Sequence, residues 1–165
     1  MKDANYWIEQ LELLSHPEGG YYKEIFRSKD EIMTSVGKHN NANRSLYTSI
    51  YFLLTSNNFS SWHKIKSDEL WHWHAGTSLT LFVIHTTGKL EEIQIGDHIE
   101  KGEKLQVLVE AGCWFASVVN SKNNYSLVGC TVIPGFSFED FELANANKLT
   151  LLYPKHEEII KQYCR

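Results

Sequence analysis

Between Ser45 and Ile133 the chain alternates between short runs of β-branched and aromatic residues and short clusters of turn residues. The apolar runs cover residues 45–54, 79–85, 90–95, 105–110, 114–119 and 125–133. Turn chemistry separates the later ones: Thr87-Gly88, Gly96-Asp97, Lys101-Gly102, Ala111-Gly112 and Lys122-Asn123-Asn124. Runs of this length suit strands, and the gaps leave no room for the crossover helices of a parallel sheet. The pattern predicts an all-β sandwich or barrel.

Around this block, residues 5–14 carry Ile8, Leu11 and Leu14 at helical spacing, with Trp7 beside them, and predict a short amphipathic helix. His16-Pro17-Glu18-Gly19-Gly20 ends it, because proline cannot continue a helix and glycines permit a sharp reversal. Residues 21–27 alternate like a strand. Residues 28–43 are polar and asparagine-rich, and read as a surface loop. Residues 136–143 are acidic and aromatic, a last strand or a covering loop. Residues 154–163 place Ile159, Ile160 and Tyr163 near helical spacing and predict a closing helix. With no composition shift, repeat or low-complexity stretch, residues 1–165 are expected to form a single domain.

A net charge of -4 speaks against a nucleic-acid partner, which needs a concentrated basic face. No apolar run approaches the roughly 20 residues of a membrane helix, and the first ten residues lack a signal-peptide core. Cys113, Cys130 and Cys164 form no CxxC pair, and the first two sit in apolar runs as small buried hydrophobes do. A cytoplasmic protein with reduced thiols is expected, without a membrane or nucleic-acid partner.

Residues 61–76 depart from a plain core strand. They hold three of the eight histidines, three of the five tryptophans and the pair Asp68-Glu69. On strands, His63 and Ile65 share one face, as do Glu69, Trp71 and Trp73, with Leu70, His72 and His74 opposite. A hairpin through Ser67-Asp68 would set His63 beside Glu69. Such a pair can bind a divalent metal, act as an oriented acid and base, or make a structural hydrogen bond. His72 and His74 have no nearby carboxylate and fit an outer face better than a metal site. Trp71 and Trp73 are core or pocket wall.

Several motifs then resemble one family in order: His16-Pro-Glu-Gly-Gly-Tyr-Tyr, Phe26-Arg27-Ser28, Trp62-His63, Ser67-Asp68-Glu69-Leu70-Trp71-His72, and Val128-Gly129-Cys130-Thr131-Val132-Ile133-Pro134-Gly135-Phe136. Together they resemble a branch of the cupin superfamily described as a domain of unknown function, and His63, Glu69 and Gly76 resemble the end of the first cupin motif. The resemblance implies a double-stranded β-helix, the cupin jelly roll, with short flanking N- and C-terminal helices. It also shows departures. Ser61 stands where metal-binding cupins have their first histidine, five residues separate His63 from Glu69, and Phe115 stands where the fourth ligand belongs. What remains, His63 and Glu69, is an incomplete set that would hold at most a weakly bound divalent ion, so no cofactor is firmly implied.

The resemblance implies a small-molecule ligand in an aromatic-lined barrel. Some cupins that work without a metal are sugar epimerases with a histidine base, so His63 is the expected base, Glu69 its tuning partner and Tyr51 or Tyr22 the proton donor. Glu18, Tyr22, Arg27, Trp71, Trp73, Phe115, Thr131 and Phe141 are the expected ligand-binding residues. Arg27 would suit an anionic group unless it pairs with Glu24. The alternatives are a metabolite-binding cupin without chemistry and, less favoured, a metal-dependent oxygenase or isomerase. Related cupins pair through exchanged strands, so a homodimer involving residues 21–27 is expected.

Overall fold

The structure is a computed structural model, and it describes residues 2–34 and 42–165. Two antiparallel sheets face each other. The six-stranded sheet runs β1 (Leu14–Ser15), β2 (Tyr21–Arg27), β5 (Thr48–Thr55), β12 (Tyr125–Ile133), β7 (Asp68–Gly76), β10 (Gln106–Val109). The five-stranded sheet runs β13 (Glu142–Leu143), β6 (Phe59–Lys64), β11 (Trp114–Val119), β8 (Leu79–Ile84), β9 (Leu90–Ile95). This is the jelly roll that the family resemblance implies, with small helices at both ends.

Strand alternation sends one set of side chains from each sheet into a shared interior that includes Phe52, Trp71, Leu81, Val83, Phe115 and Val128. Parts of the other faces are covered by the helices. Helix α1 (Ala4–Gln10) starts at Asp3, whose carboxylate accepts from the Tyr6 amide at 2.8 Å. Its Trp7 and Ile8, with Leu11, pack over Leu53 and Leu127 of the six-stranded sheet. Helices α2 (Ala146–Leu152) and α3 (Glu157–Gln162) bring Leu149 and Ile160 onto Trp62, Phe82, Ile84 and Trp114 of the other sheet. The Trp62 indole donates to the Ile159 carbonyl at 3.1 Å, so a buried polar atom is satisfied where the helix docks. Among the described residues no helix is long and apolar enough to cross a membrane.

Four local expectations change. The first helix stops at Gln10, because Glu12 takes a positive φ of 53° and the chain turns into β1. The C-terminal segment holds two helices, and the extra one starts at Asn145, whose side chain accepts from the Lys148 amide at 3.1 Å. The polar stretch 28–43 contains a hairpin, β3 (Glu31–Thr34) with β4 (Ala42–Ser45); the rest of that expected loop, 35–41, lies outside the described residues. The fourth concerns the polar cluster. β6 and β7 do not pair; β6 lies against β11 and β13, and β7 against β12 and β10. Residues 65–67 carry the chain from one sheet to the other, with Ile65 and Ser67 buried in the crossing.

Candidate acid–base cavity in the barrel

A cavity of about 460 Å³ opens between the sheets, within the size range of ligand pockets. Its chemistry comes from His16, Glu18, His63 and Glu69, and its apolar walls include Phe52, Phe136, Phe138 and Phe141.

The turn after β1 places the first two groups. Gly19 and Gly20 have φ of 114° and 74°, a region costly for other residues. A Cβ on Gly19 would lie 2.1 Å from the Phe59 carbonyl oxygen, so this turn packs directly on β6. The Ser61 amide donates to the Glu18 carbonyl at 2.8 Å and fixes that contact. Glu18 is thereby carried inward, where Ser60 Oγ donates to its Oε1 at 2.8 Å.

His63 Nδ1 lies 2.7 Å from the Ser61 carbonyl oxygen. A carbonyl can only accept, so Nδ1 carries the proton and Nε2 presents its lone pair. Glu18 Oε2 sits 3.1 Å from that Nε2. Burial lowers the His63 pKa to about 4, against an opposing pull from the Ser61 carbonyl. Burial raises the Glu18 pKa, against the neighbouring His16, the Ser60 hydrogen bond and Arg165. Both shifts favour one state: a carboxylic acid donating from Oε2 to a neutral imidazole. His16 joins from the other side, with Nδ1 3.4 Å from Glu18 Oε2 and 3.3 Å from the Glu18 amide that donates to it. Burial lowers its pKa, Glu18 opposes, and His63 adds to the lowering.

Glu69 approaches from the facing sheet. Burial first, and then the nearby Glu18 carboxyl whenever it ionises, raises its pKa to about 8, against a hydrogen bond from the Cys130 thiol. It is a carboxylic acid at neutral pH, able to donate a hydrogen bond. The cavity therefore combines a proton shared between Glu18 and His63 with a second acidic proton on Glu69.

The family model described as Cupin superfamily (DUF985) matches residues 5–144. The chain belongs to the cupin superfamily. This cupin is 38% identical to a hypothetical protein from Leishmania major of known structure, with a TM-score of 0.92 and 98% of each chain covered. It is 40% identical to a protein from Shewanella oneidensis, with a TM-score of 0.88, covering 100% of this chain and 99% of that one. An uncharacterized protein of Saccharomyces cerevisiae is 27% identical over 143 residues, 81% of this chain and 71% of the yeast protein. Oxalate decarboxylase from Bacillus subtilis, at 12% identity and a TM-score of 0.56 over 90% of this chain and 36% of that one, shares the fold.

The expected site residues of this cupin divide between the cavity and other places. Glu18, Tyr22, Arg27, His63, Glu69 and Phe141 border the cavity. The direct partner of His63 is Glu18, not the expected Glu69, because the two sheets separate β6 from β7. Tyr51 points away, since its neighbour Phe52 points inward; its ring lies 5.8 Å from that of His74 on the outer face. Tyr51 is therefore not the proton donor of this cavity. Thr131 is turned outward for the same reason, between the inward Cys130 and Val132, and hydrogen-bonds Ser49 at 3.1 Å. Trp71 is core rather than wall, packed edge to face against Phe52 and Phe115, and Trp73 packs on the same interior cluster without reaching the cavity. Phe115 lies behind His63, ring centroids 4.0 Å apart. Arg27 forks onto Glu24 at 3.0 and 2.7 Å and donates to the Phe136 carbonyl at 3.1 Å.

The metal pattern of the family does not fit these residues. The Phe115 ring occupies the place of a ligand, His63 Nδ1 is engaged by a carbonyl and Nε2 by Glu18. Ser61 Oγ is buried without a hydrogen-bond partner, and a neutral hydroxyl is a poor substitute for imidazole.

Sequence reasoning passed over His16, Ser60 and Cys130 as site residues. The signal for His16 was present: it opens the same glycine turn that delivers Glu18. Ser60 and Cys130 carried none, because only the packing of the sheets sets them against the two carboxyls.

Proposed function

We propose that this cupin binds a small, uncharged, sugar-like metabolite in the barrel and moves a proton on it, as an isomerase or epimerase does. One observation carries the reading: Glu18 and His63 meet at 3.1 Å in a buried cavity that also holds Glu69 with its pKa raised to about 8. Perturbed acids and bases in one pocket are the usual equipment of proton transfer. The uncharged character follows from the mouth, where Arg27 is engaged by Glu24, and Arg44 by Asp140 at 2.6 Å and Glu139 at 3.0 Å.

In this reading the Glu18–His63 pair is the base. Glu18 Oε1 accepts a proton from a carbon beside a carbonyl as the Glu18 Oε2 proton passes to His63 Nε2, so the gained positive charge rests on the imidazole, whose Nδ1–H donates to the Ser61 carbonyl. Glu69 donates a hydrogen bond to the carbonyl oxygen, where negative charge develops. Return of the proton to another carbon, or to the other face of the same carbon, completes isomerisation or epimerisation. Phe136, Phe138 and Phe141 give apolar surfaces for the C–H faces of a sugar ring.

The test is solvent-deuterium exchange into a panel of free, uncharged aldoses and ketoses. Wild-type protein should catalyse exchange into at least one member, and His63→Ala and Glu18→Gln should lower it by about 10²–10⁴-fold. Saturable binding of a panel member, seen by thermal shift, without exchange would favour the metabolite-binding reading.

We also propose that the protein pairs as a homodimer along β2. Only Tyr21 and Tyr22 of that strand meet β1, and Phe26 beyond them is 61% exposed. An open strand edge with an exposed aromatic is a ready pairing surface. A monomeric mass by light scattering at micromolar concentration would contradict it.

A further inference from the structure

Away from the cavity, three side chains of different chemistry converge at the end of β8. The ligand atoms of His85, Glu110 and Cys113 all lie within 4.8 Å of one another. His85 follows the last residue of β8. Glu110 and Cys113 are the first and last residues of a tight turn between β10 and β11. In that turn the Cys113 amide donates to the Glu110 carbonyl at 3.2 Å, and Gly112 takes a φ of 81°. The turn is held in place from outside: the Ala111 amide donates to Asp68 Oδ1 at 2.8 Å and the Gly112 amide to the Ile65 carbonyl at 2.8 Å. Side chains at its two ends are thus fixed on one side by a rigid backbone.

The imidazole is also fixed. His85 Nε2 lies 2.8 Å from Glu91 Oε2. A carboxylate accepts, so in the neutral ring Nε2 carries the proton and Nδ1 keeps a lone pair. That lone pair faces Cys113 Sγ, 4.0 Å away. A histidine whose far nitrogen donates to a carboxylate is the usual outer arrangement of a metal-ligating imidazole.

We propose that His85 Nδ1, Cys113 Sγ and a Glu110 carboxylate oxygen form a binding site for a borderline-soft divalent cation of the zinc and cobalt kind. Mixed nitrogen, sulfur and oxygen donors select such ions over magnesium or calcium. Around a tetrahedral ion with bonds of about 2.0–2.3 Å, ligand atoms stand roughly 3.5 Å apart, so the His85–Cys113 gap needs only a small contraction. Cys113 is buried, and its thiolate is costly there without a positive partner, which the cation supplies; the thiol proton leaves to solvent. Glu110 is exposed, so the ion has a path in from solvent and water can complete its shell. The bound ion would clip the β8–β9 hairpin to the β10–β11 turn. This site is independent of the proposed proton chemistry in the barrel.

The test is cobalt(II) titration of reduced protein freed of metal by a chelator, followed by absorption. Wild type and Cys164→Ser should both take up one ion with a thiolate-to-cobalt charge-transfer band and the intense visible bands of a tetrahedral site. Cys113→Ser should lose the charge-transfer band. Glu91→Gln should weaken binding by roughly 10–100-fold, as loss of an outer partner does, and His85→Gln by more. Should Cys113→Ser fail to fold, His85→Gln and Glu91→Gln decide, since both positions are partly open to solvent. A folded wild type with no thiolate–cobalt band, or unchanged affinity in His85→Gln, would overturn the proposal.

Discussion

Two histidines of this chain each meet a glutamate, and the two pairs behave in opposite ways. His63 and Glu18 stand 3.1 Å apart with side chains 2% and 9% exposed; His85 and Glu91 stand 2.8 Å apart at 30% and 39%. In the barrel, burial lowers the imidazole pKa and raises the carboxyl pKa, so both groups move towards neutrality. At the end of β8, water still reaches the pair, and the hydrogen bond from His85 lowers the Glu91 pKa. The tautomers differ as well. The Ser61 carbonyl holds a proton on His63 Nδ1 and leaves Nε2 basic, whereas Glu91 holds a proton on His85 Nε2 and leaves Nδ1 facing a thiol. The same residue types give a buried pair driven towards neutrality in one place and a solvent-reached pair beside a thiol in the other; burial and the second ring contact decide which.

The largest expected effect comes from breaking the buried pair. Glu18→Gln keeps the shape but removes the titrating group, and should lower proton exchange by about 10²–10⁴-fold, read as exchange rate at fixed substrate. His63→Ala should do the same, while Tyr51→Phe should leave the rate unchanged, because that ring lies on the outer face.

Next comes the pH dependence of stability. Glu69 has a folded pKa raised to about 8 from 4.5, so between these values the folded state binds a proton that the unfolded state has lost. Its contribution is complete below about pH 4.5 and falls away as pH rises to about 8, by on the order of a few kcal/mol. Glu18, also raised, acts in the same direction. His63, lowered to about 4 from 6.5, acts oppositely: stability rises with pH across that window. Denaturant melts of Glu69→Gln should therefore lose less stability between pH 6 and 8 than wild type. An identical slope would contradict the assigned burial. In the exchange assay, loss of the Glu69 proton should give a falling alkaline limb near pH 8, absent in Glu69→Gln.

The smallest effect sharpens the contrast from the exposed side. Glu91→Gln should change stability in the metal-free protein by less than about 1 kcal/mol, because a half-exposed ion pair is screened. The measurement is a denaturant melt in chelator.

Much of the architecture was legible in sequence because strands and turns are local. The regular punctuation from Thr87 to Asn124 marks the strands of both sheets, and Gly19-Gly20 marks the turn that delivers Glu18. The pairing of those strands was not legible. A hairpin between β6 and β7 satisfies the local pattern as well as a crossing does, and the choice rests on long-range packing by β11 and β12. That misplaced Glu69 as the partner of His63. For Tyr51 and Thr131, the chemistry of the side chain suggested a pocket, but alternation against Phe52 and Cys130 puts both outside. The cluster of His85, Glu110 and Cys113 joins the β8–β9 hairpin to the turn between β10 and β11, and a lone cysteine in an apolar run carries no local sign of it.

The protonation state of the barrel is the claim on which the proposed chemistry rests, and a pH titration by nuclear magnetic resonance tests it directly, with labelled histidine nitrogens and glutamate carboxyl carbons. His63 should remain neutral with its proton on Nδ1 from pH 8 down to about 5, and Glu69 should titrate near pH 8. A His63 ring that titrates near 6.5, or a Glu69 carboxyl already ionised at pH 6, would contradict the account.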